Sequence, residues 1–373
     1  MALPDEATAG RLSVGGSVLH ALPIALYKST VFITTGSRLD AVDTVTGDVT
    51  ATTRPKESPL DTDDEWSTST PSAAPLVVTT QGSPSVLAAF VVQREGTGTQ
   101  ASRTMVEVTS TDPDIGKVTW RLLLRLPEWA SQSELTASMV GAQDGTAVVS
   151  LTSRNGSHAA AYGIDMGTQQ QVWSLDNFRA GAVTRKIVVG ARLEDEVGID
   201  QRPAGFSLTS GKRAWQGTHG TNVAAAPAGP ILIRMRGKGY DSGEDYDNLV
   251  DPRTGRTQQP LPEDLLGSAC AYDDQSMLIC SGTGAASVVA YGLDAATGKV
   301  KWQLPDEGGD RIAPDVTAAW HGRVYGRAND GAVALDARTG KDMPSPGAAP
   351  MAVNESAGLV LDDSALLAYP TSG

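Results

Sequence analysis

The chain has 373 residues, is 40% hydrophobic and holds 40 glycines, an apolar content that argues against disorder. Its formal net charge of −13 repels phosphate backbones and acidic lipid surfaces, which argues against nucleic acid as a partner. Length alone suggests two or three domains, unless the chain is a repeat array.

The N-terminus, Met1 to Glu6, carries no basic residue, and Arg11 is not followed by an apolar core, so no secretory signal is read here. Either the protein works in the cytoplasm or its leader or anchor lies outside this sequence. Gly10–Val14 reads as a short strand. The segment VDTVTGDV from Val42 is the first of a set of related turns. It is followed by RPKESPLDTDDEWSTSTPS, an acidic Pro/Ser/Thr-rich stretch that reads as an inserted loop over residues 54–72. The longest apolar run, Val86–Val92, is seven residues, where a membrane-spanning helix needs about 20.

Further turns follow: DPDIGKVTW from Asp112, AYGIDMGTQQQVWSL from Ala161, FSLTSGKRAW from Phe206, VDPRTGRT from Val250, AYGLDAATGKVKWQL from Ala290 and LDARTGKD from Leu335. Their shared position is Gly47, Gly116, Gln169, Gly211, Gly255, Gly298 and Gly340, with spacings of 69, 53, 42, 44, 43 and 42 residues. Glycine suits a turn residue at positive φ; Gln169 implies either strain or a different turn shape. Four residues later stand Trp120, Trp173, Trp215 and Trp302, while Ala51, Gln259 and Pro344 fill that place elsewhere. An indole recurring once per repeat is expected to pack one repeat against the next.

Between the fifth and sixth turns lies LGSACAYDDQSMLICSG. It reads as a hairpin, and folding it about Gln275 sets Cys270 opposite Cys280, at a Cα separation of about 4.5 Å that a disulfide can span. The alternative is two reduced core cysteines. A bridge would place the protein in an oxidising compartment. Two acidic segments are weak metal candidates: Asp61 to Glu65, and Asp241, Glu244, Asp245 and Asp247. Neither has the spacing of a calcium loop, so both read as solvated loops.

The repeat from Asp315 to Pro344 divides into four short strands, DVTAAW, RVYGRAN, GAVALDART and GKDMP, with no helical periodicity. Four antiparallel strands every 40–45 residues is the pattern of a propeller blade. Once the insert is removed, the length holds about eight such repeats of 40–45 residues. The C-terminus offers three strands, Ala349–Val353, Gly358–Leu361 and Ala365–Tyr369, and Gly10–Val14 would supply the fourth. The expected fold is therefore all-β: a single domain over 1–373, an eight-bladed β-propeller of four-stranded antiparallel blades closed by strands from both termini. Seven blades is the alternative.

These turns resemble the pyrroloquinoline quinone (PQQ)-like β-propeller repeat, A-x-D-A-x-T-G-x-x-x-W, best matched by residues 293–302, Leu-Asp-Ala-Ala-Thr-Gly-Lys-Val-Lys-Trp. The resemblance covers nearly the whole chain and speaks to fold rather than activity. The family includes quinoprotein dehydrogenases, a lipoprotein of the outer-membrane β-barrel assembly machinery, and bacterial surface or sensor domains. Its dehydrogenases stack the quinone on a disulfide between adjacent cysteines and hold calcium beside a catalytic aspartate. Cys270 and Cys280 are not adjacent, and no matching set stands here, so the chain resembles the lipoprotein and the surface or sensor propellers more closely. His20, His158, His219 and His321 have no metal-ligand spacing, and no G-x-S-x-G or phosphate-binding loop is present. Arginine-over-lysine usage suits a GC-rich bacterial genome. The expected function is a non-catalytic extracytoplasmic binding, scaffold or sensor propeller, monomeric, without cofactor, tethered to a membrane by a segment outside this sequence. Its partner would be a protein, glycan or small molecule. The alternative is a PQQ-dependent or other channel-sited enzyme.

Overall fold

The structure is a computed structural model and describes residues 22–371 apart from 61–72, 81, 133, 284–287, 307, 309, 330 and 363–364. Val-, Ala- and Thr-rich runs between turn residues give strands throughout. Helical turns among the described residues are confined to two 3-10 segments, Glu128–Gln132 and Glu263–Leu265.

The strands pair in chain order, each with the next, so every unit is an antiparallel meander. Residues 24–53 form a four-stranded sheet, and 58–125 a five-stranded one in which a short extra strand, Ser58–Pro59, joins the edge. Four-stranded units follow at 135–176, 178–216, 220–260, 269–304 and 315–343, the second and third of these fused into one sheet by the single pair Gln201↔Gly220. The last unit, 352–370, has three strands. Each sheet is open, with its first and last strands as edges.

The core lies between the sheets, not within one centre. Phe32, Leu39 and Ala41 of the first unit meet Val86, Ala88 and Phe90 of the second. The second meets the third through Val106, Val108 and Leu124 against Val149, Leu151 and Tyr162. The same relation continues from unit to unit through 315–343. The last unit sets Leu359 and Leu366 on Leu22, Val31, Ile33 and Val42 of the first, and Asn354 Nδ2 donates to the Lys28 carbonyl at 3.0 Å. Radial repetition of this kind is β-propeller architecture.

Packing on both sides explains why the middle strands show little polar–apolar alternation. Thr146–Ser153 and Ala159–Asp165 are almost wholly buried, whereas the outer strand Gln170–Asp176 leaves most residues exposed. First strands of successive units approach so closely that small residues are required. A Cβ on Gly141 would lie 3.0 Å from Val183, and one on Gly181 would overlap the Ala225 carbonyl. These first strands also carry bulges, at Met139/Gly141, Ala180/Ala182 and Val316/Ala318.

The expected strands of the 315–344 repeat are observed at Asp315–Trp320, Arg323–Ala328, Gly331–Asp336 and Asp342–Met343. The C-terminal strands are at Ala352–Val353, Ala357–Asp362 and Ala365–Pro370. Gly10–Val14 lies outside the described residues, and so does most of the expected insert, including Asp61 to Glu65. Residues 54–60 are bonded into the second unit: Leu60 N–H reaches the Val91 carbonyl at 3.0 Å, and the Lys56 and Glu57 N–H groups donate to the buried Glu107 carboxylate. Arg121 completes that carboxylate's shell at 2.8 Å, so a charge on a middle strand is satisfied rather than stranded.

Candidate functional site

The recurring turn is built on an aspartate in six of its seven copies, Ser207 standing in that place in the other. Its aspartate accepts backbone N–H bonds from two or three residues ahead, as Asp43, Asp112, Asp294 and Asp336 do. At Asp294 the Thr297 hydroxyl adds a bond, which, with the backbone N–H groups and Lys301, holds the carboxyl below its usual range. Gly47, Gly116, Gly211, Gly255, Gly298 and Gly340 all have φ between 64° and 78°. Gln169 has φ 59°, so it keeps the turn shape and carries the strain of a left-handed non-glycine residue.

The indoles join neighbouring units. Trp173 Nε1 donates to the Leu208 carbonyl (2.6 Å), Trp215 to Pro252 (2.6 Å) and Trp302 to Ala337 (2.7 Å). Beneath each ring lies a glycine of its own unit, directly across the strand pair: Gly163, Gly205 or Gly292, where a Cβ would overlap the indole. Against the other side sits the turn glycine of the next unit: Gly211, Gly255 or Gly340. Ala51 and Gln259 meet Gly116 and Gly298 in the same way. Trp120, opposite Ser110 rather than glycine, is half-buried against the second interface.

Cys270 and Cys280 are directly opposed in register and joined by a disulfide, with Cα atoms 4.0 Å apart. Beside it lies a buried ion pair. Arg234 binds both Asp247 carboxylate oxygens, with Nε at 2.8 Å from Oδ1, and reaches the Ser268 carbonyl (2.6 Å) and Cys270 Sγ (3.2 Å) through Nη1. The four acidic candidates are not brought together. Asp247 is spent on Arg234, Asp245 faces Lys238 at 3.3 Å, and Asp241 and Glu244 sit exposed in the hairpin between them. No group of three or more His, Cys, Asp or Glu among the described residues is arranged to hold a metal.

The histidines lie apart. His158 stacks on Trp129 at 5.2 Å, His219 meets Asp200 at 2.6 Å, and His321 stacks on Trp320 at 4.2 Å; His20 is outside the described residues. Burial raises the phenols of Tyr162 and Tyr246. Tyr246 lies over Gly237, and burial pushes its phenol up to about 12. A raised folded value stabilises the fold fully below the ordinary phenol value of about 10, and that stabilisation is lost as pH rises from there towards the folded value. From neutral pH up to that ordinary value this phenol should leave the thermal unfolding midpoint level, and above it the midpoint should fall. Tyr246→Phe should flatten the fall, and an unchanged fall in that variant would contradict the assignment.

The two ends of the molecule differ. At one, first and third turns are tied together within five units, by Thr44 N–H to the Ser29 carbonyl, Met166 to Gly145, Leu208 to Lys186, Ala295 to Ser276 and Ala337 to Gly322. The other end carries the longer connections, 95–102, 126–134, 194–200, 261–268 and 305–314, and is the freer to vary. There the second unit opens a cleft of about 790 Å³, lined by Arg94, Arg103 and Arg125 together with Met105, Leu126 and Glu128. A smaller cavity of about 420 Å³ lies by Arg236, Lys238, Tyr246 and Asn222. The sequence reading missed the arginine cleft, because only register brings its residues together.

No family model matches the sequence, and neither does any curated protein. The fold has solved likenesses. The computationally designed Ika8 protein superposes with a TM-score of 0.55 at 13% identity, over 93% of this chain and 95% of that one. The quinohemoprotein alcohol dehydrogenase ADHIIG from Pseudomonas putida HK5 gives 0.51 at 11% identity, over 92% of this chain and 68% of that one. The Dos1 propeller gives 0.48 at 11% identity, over 83% and 76%. At such identities the first two likenesses speak to fold alone.

Proposed function

We propose that this chain is an eight-bladed, PQQ-like β-propeller that works outside the cytoplasm as a non-catalytic binding, scaffold or sensor domain. The observation that carries the reading is how the motif residues are used. Turn glycines and indoles serve packing between units, so the repeat builds a frame and leaves the long connections at one end to meet a partner. The blade count rests on the units described, the last of which leans on the first and has three strands. The disulfide supports an oxidising compartment. Tethering to a membrane and a monomeric state belong to the same reading.

The alternative, a quinone-dependent dehydrogenase, draws support from the likeness to the alcohol dehydrogenase fold. Against it, the two cysteines are bridged across a hairpin ten residues apart and not side by side in sequence. Purified protein incubated with PQQ and calcium should show no quinone absorbance after desalting and no alcohol-dependent dye reduction. Either signal would overturn the non-catalytic reading.

A further inference from the structure

The cleft at the long-loop end of the second unit has a charge that the rest of the chain does not prepare for. Arg94 ends the strand Ser83–Arg94, and Arg103 begins Arg103–Asp112, directly opposite it. Two residues on, Met105 opposes Arg125, the last residue of Lys117–Arg125. Side chains alternate along a strand, so all three guanidinium groups leave one face of one sheet. Opposed Cβ atoms lie about 4.5–5.5 Å apart and diagonal ones about 7–8 Å, so the three charges crowd one spot.

Like charges directly opposite each other destabilise a strand pair. Here all three arginines are exposed, and no ion pair among the described residues includes them. Glu95, the next residue after Arg94, also lines the cleft, and its carboxylate accepts from Ser102 Oγ at 3.3 Å. Glu128 opens the short helical turn at the cleft's rim. A molecule of net charge −13 thus keeps three cations, in no ion pair among the described residues, against two carboxylates on strand ends at the mouth of a cleft of about 790 Å³.

We propose that this cleft binds a compact ligand bearing two or more oxyanion groups, carboxylate or phosphate, gripped by Arg94, Arg103 and Arg125. Guanidinium forks match the planar oxygens of both groups in paired hydrogen bonds. The bound anion would relieve the repulsion among the three, and the strand ends hold their spacing before the ligand arrives. The proposal deepens the reading of this end as the binding surface and rests on it.

The test is calorimetric titration of the whole chain at low salt with pyrophosphate and, separately, citrate. Saturable one-to-one binding of at least one probe is expected, weakening as salt rises. R94A/R103A should weaken it at least tenfold, and R94K/R103K should fall between, because lysine keeps the charge and loses the fork. Preference for pyrophosphate would identify a phosphate source and preference for citrate a carboxylate one; either supports the site. A second readout is independent of any ligand: R94Q should leave unchanged or raise the low-salt thermal midpoint, since it removes one of two opposed like charges. No saturable binding, equal binding in R94A/R103A, or a lowered midpoint in R94Q would each overturn the proposal. These results stand apart from the dye assay, which tests catalysis and leaves anion binding untouched.

Discussion

Replacing Trp302 with alanine is expected to lower the unfolding free energy by about 3–5 kcal/mol, at the upper end for a single core truncation. Three losses coincide. The ring, 9% exposed, leaves a cavity. The cavity cannot be refilled from either side, because Gly292 lies on one face and Gly340 on the other, and neither has a side chain to relax inward. The Ala337 carbonyl, in a fully buried residue, loses its donor. Phenylalanine should restore part of the packing and none of the hydrogen bond, so W302F should fall between. Urea unfolding of the three proteins measures this. A W302A protein within 1 kcal/mol of wild type, on the same order-of-magnitude scale, would mean that the indole does not clasp the neighbouring unit. Gly340→Ala approaches the same contact from the opposite side: its Cβ would come within 2.7 Å of the ring at a backbone φ of 67°, so it too should destabilise.

The second large effect is expected at Arg234. The side chain is 5% exposed and holds Asp247, itself 4% exposed, through both carboxylate oxygens. R234M leaves a buried carboxylate without its counter-charge and strips donors from the Leu265 and Ser268 carbonyls, a loss of about 3–5 kcal/mol. D247L should cost a similar amount by orphaning the guanidinium. The double variant R234M/D247L should be less destabilised than the sum of the two, because neither charge then remains to be neutralised. Simple additivity in a denaturant double-mutant cycle would show that the two side chains act independently. The pair also commits both Asp247 oxygens within its own sheet.

What could be read from the sequence was whatever repeats. Turn glycines and the indole four residues on are local signals at a fixed spacing, and they located the turn of every unit from 24–53 to 315–343. Cys270 and Cys280 were paired correctly because a hairpin about Gln275 has one register, and the structure has that register. Another signal was present and unread: the glycine ten residues before Trp173, Trp215 and Trp302. It makes sense only once the two strands are seen side by side. Gln169 left two options open because a side chain alone does not report φ. The arginine cleft and the Arg234–Asp247 pair were out of reach for a further reason. Their partners are 9, 13 or 22 residues apart across loops of uncertain length, and a shift of one residue would have turned each side chain to the opposite face. Residues 54–60 have the composition of a loop, and the bonds to Glu107 that hold them are long-range.

The seam between the last unit and the first has a consequence for how the protein is made. A ribosome delivers Leu22, Val31, Ile33 and Val42 long before the side chains that cover them, Leu359 and Leu366. Until Leu359 and Leu366 emerge, the nascent polypeptide lacks their cover on this oily flank, a hazard that a linear row of repeats meets with a dedicated capping repeat. A premature stop anywhere upstream of residue 352 would leave that flank bare for good.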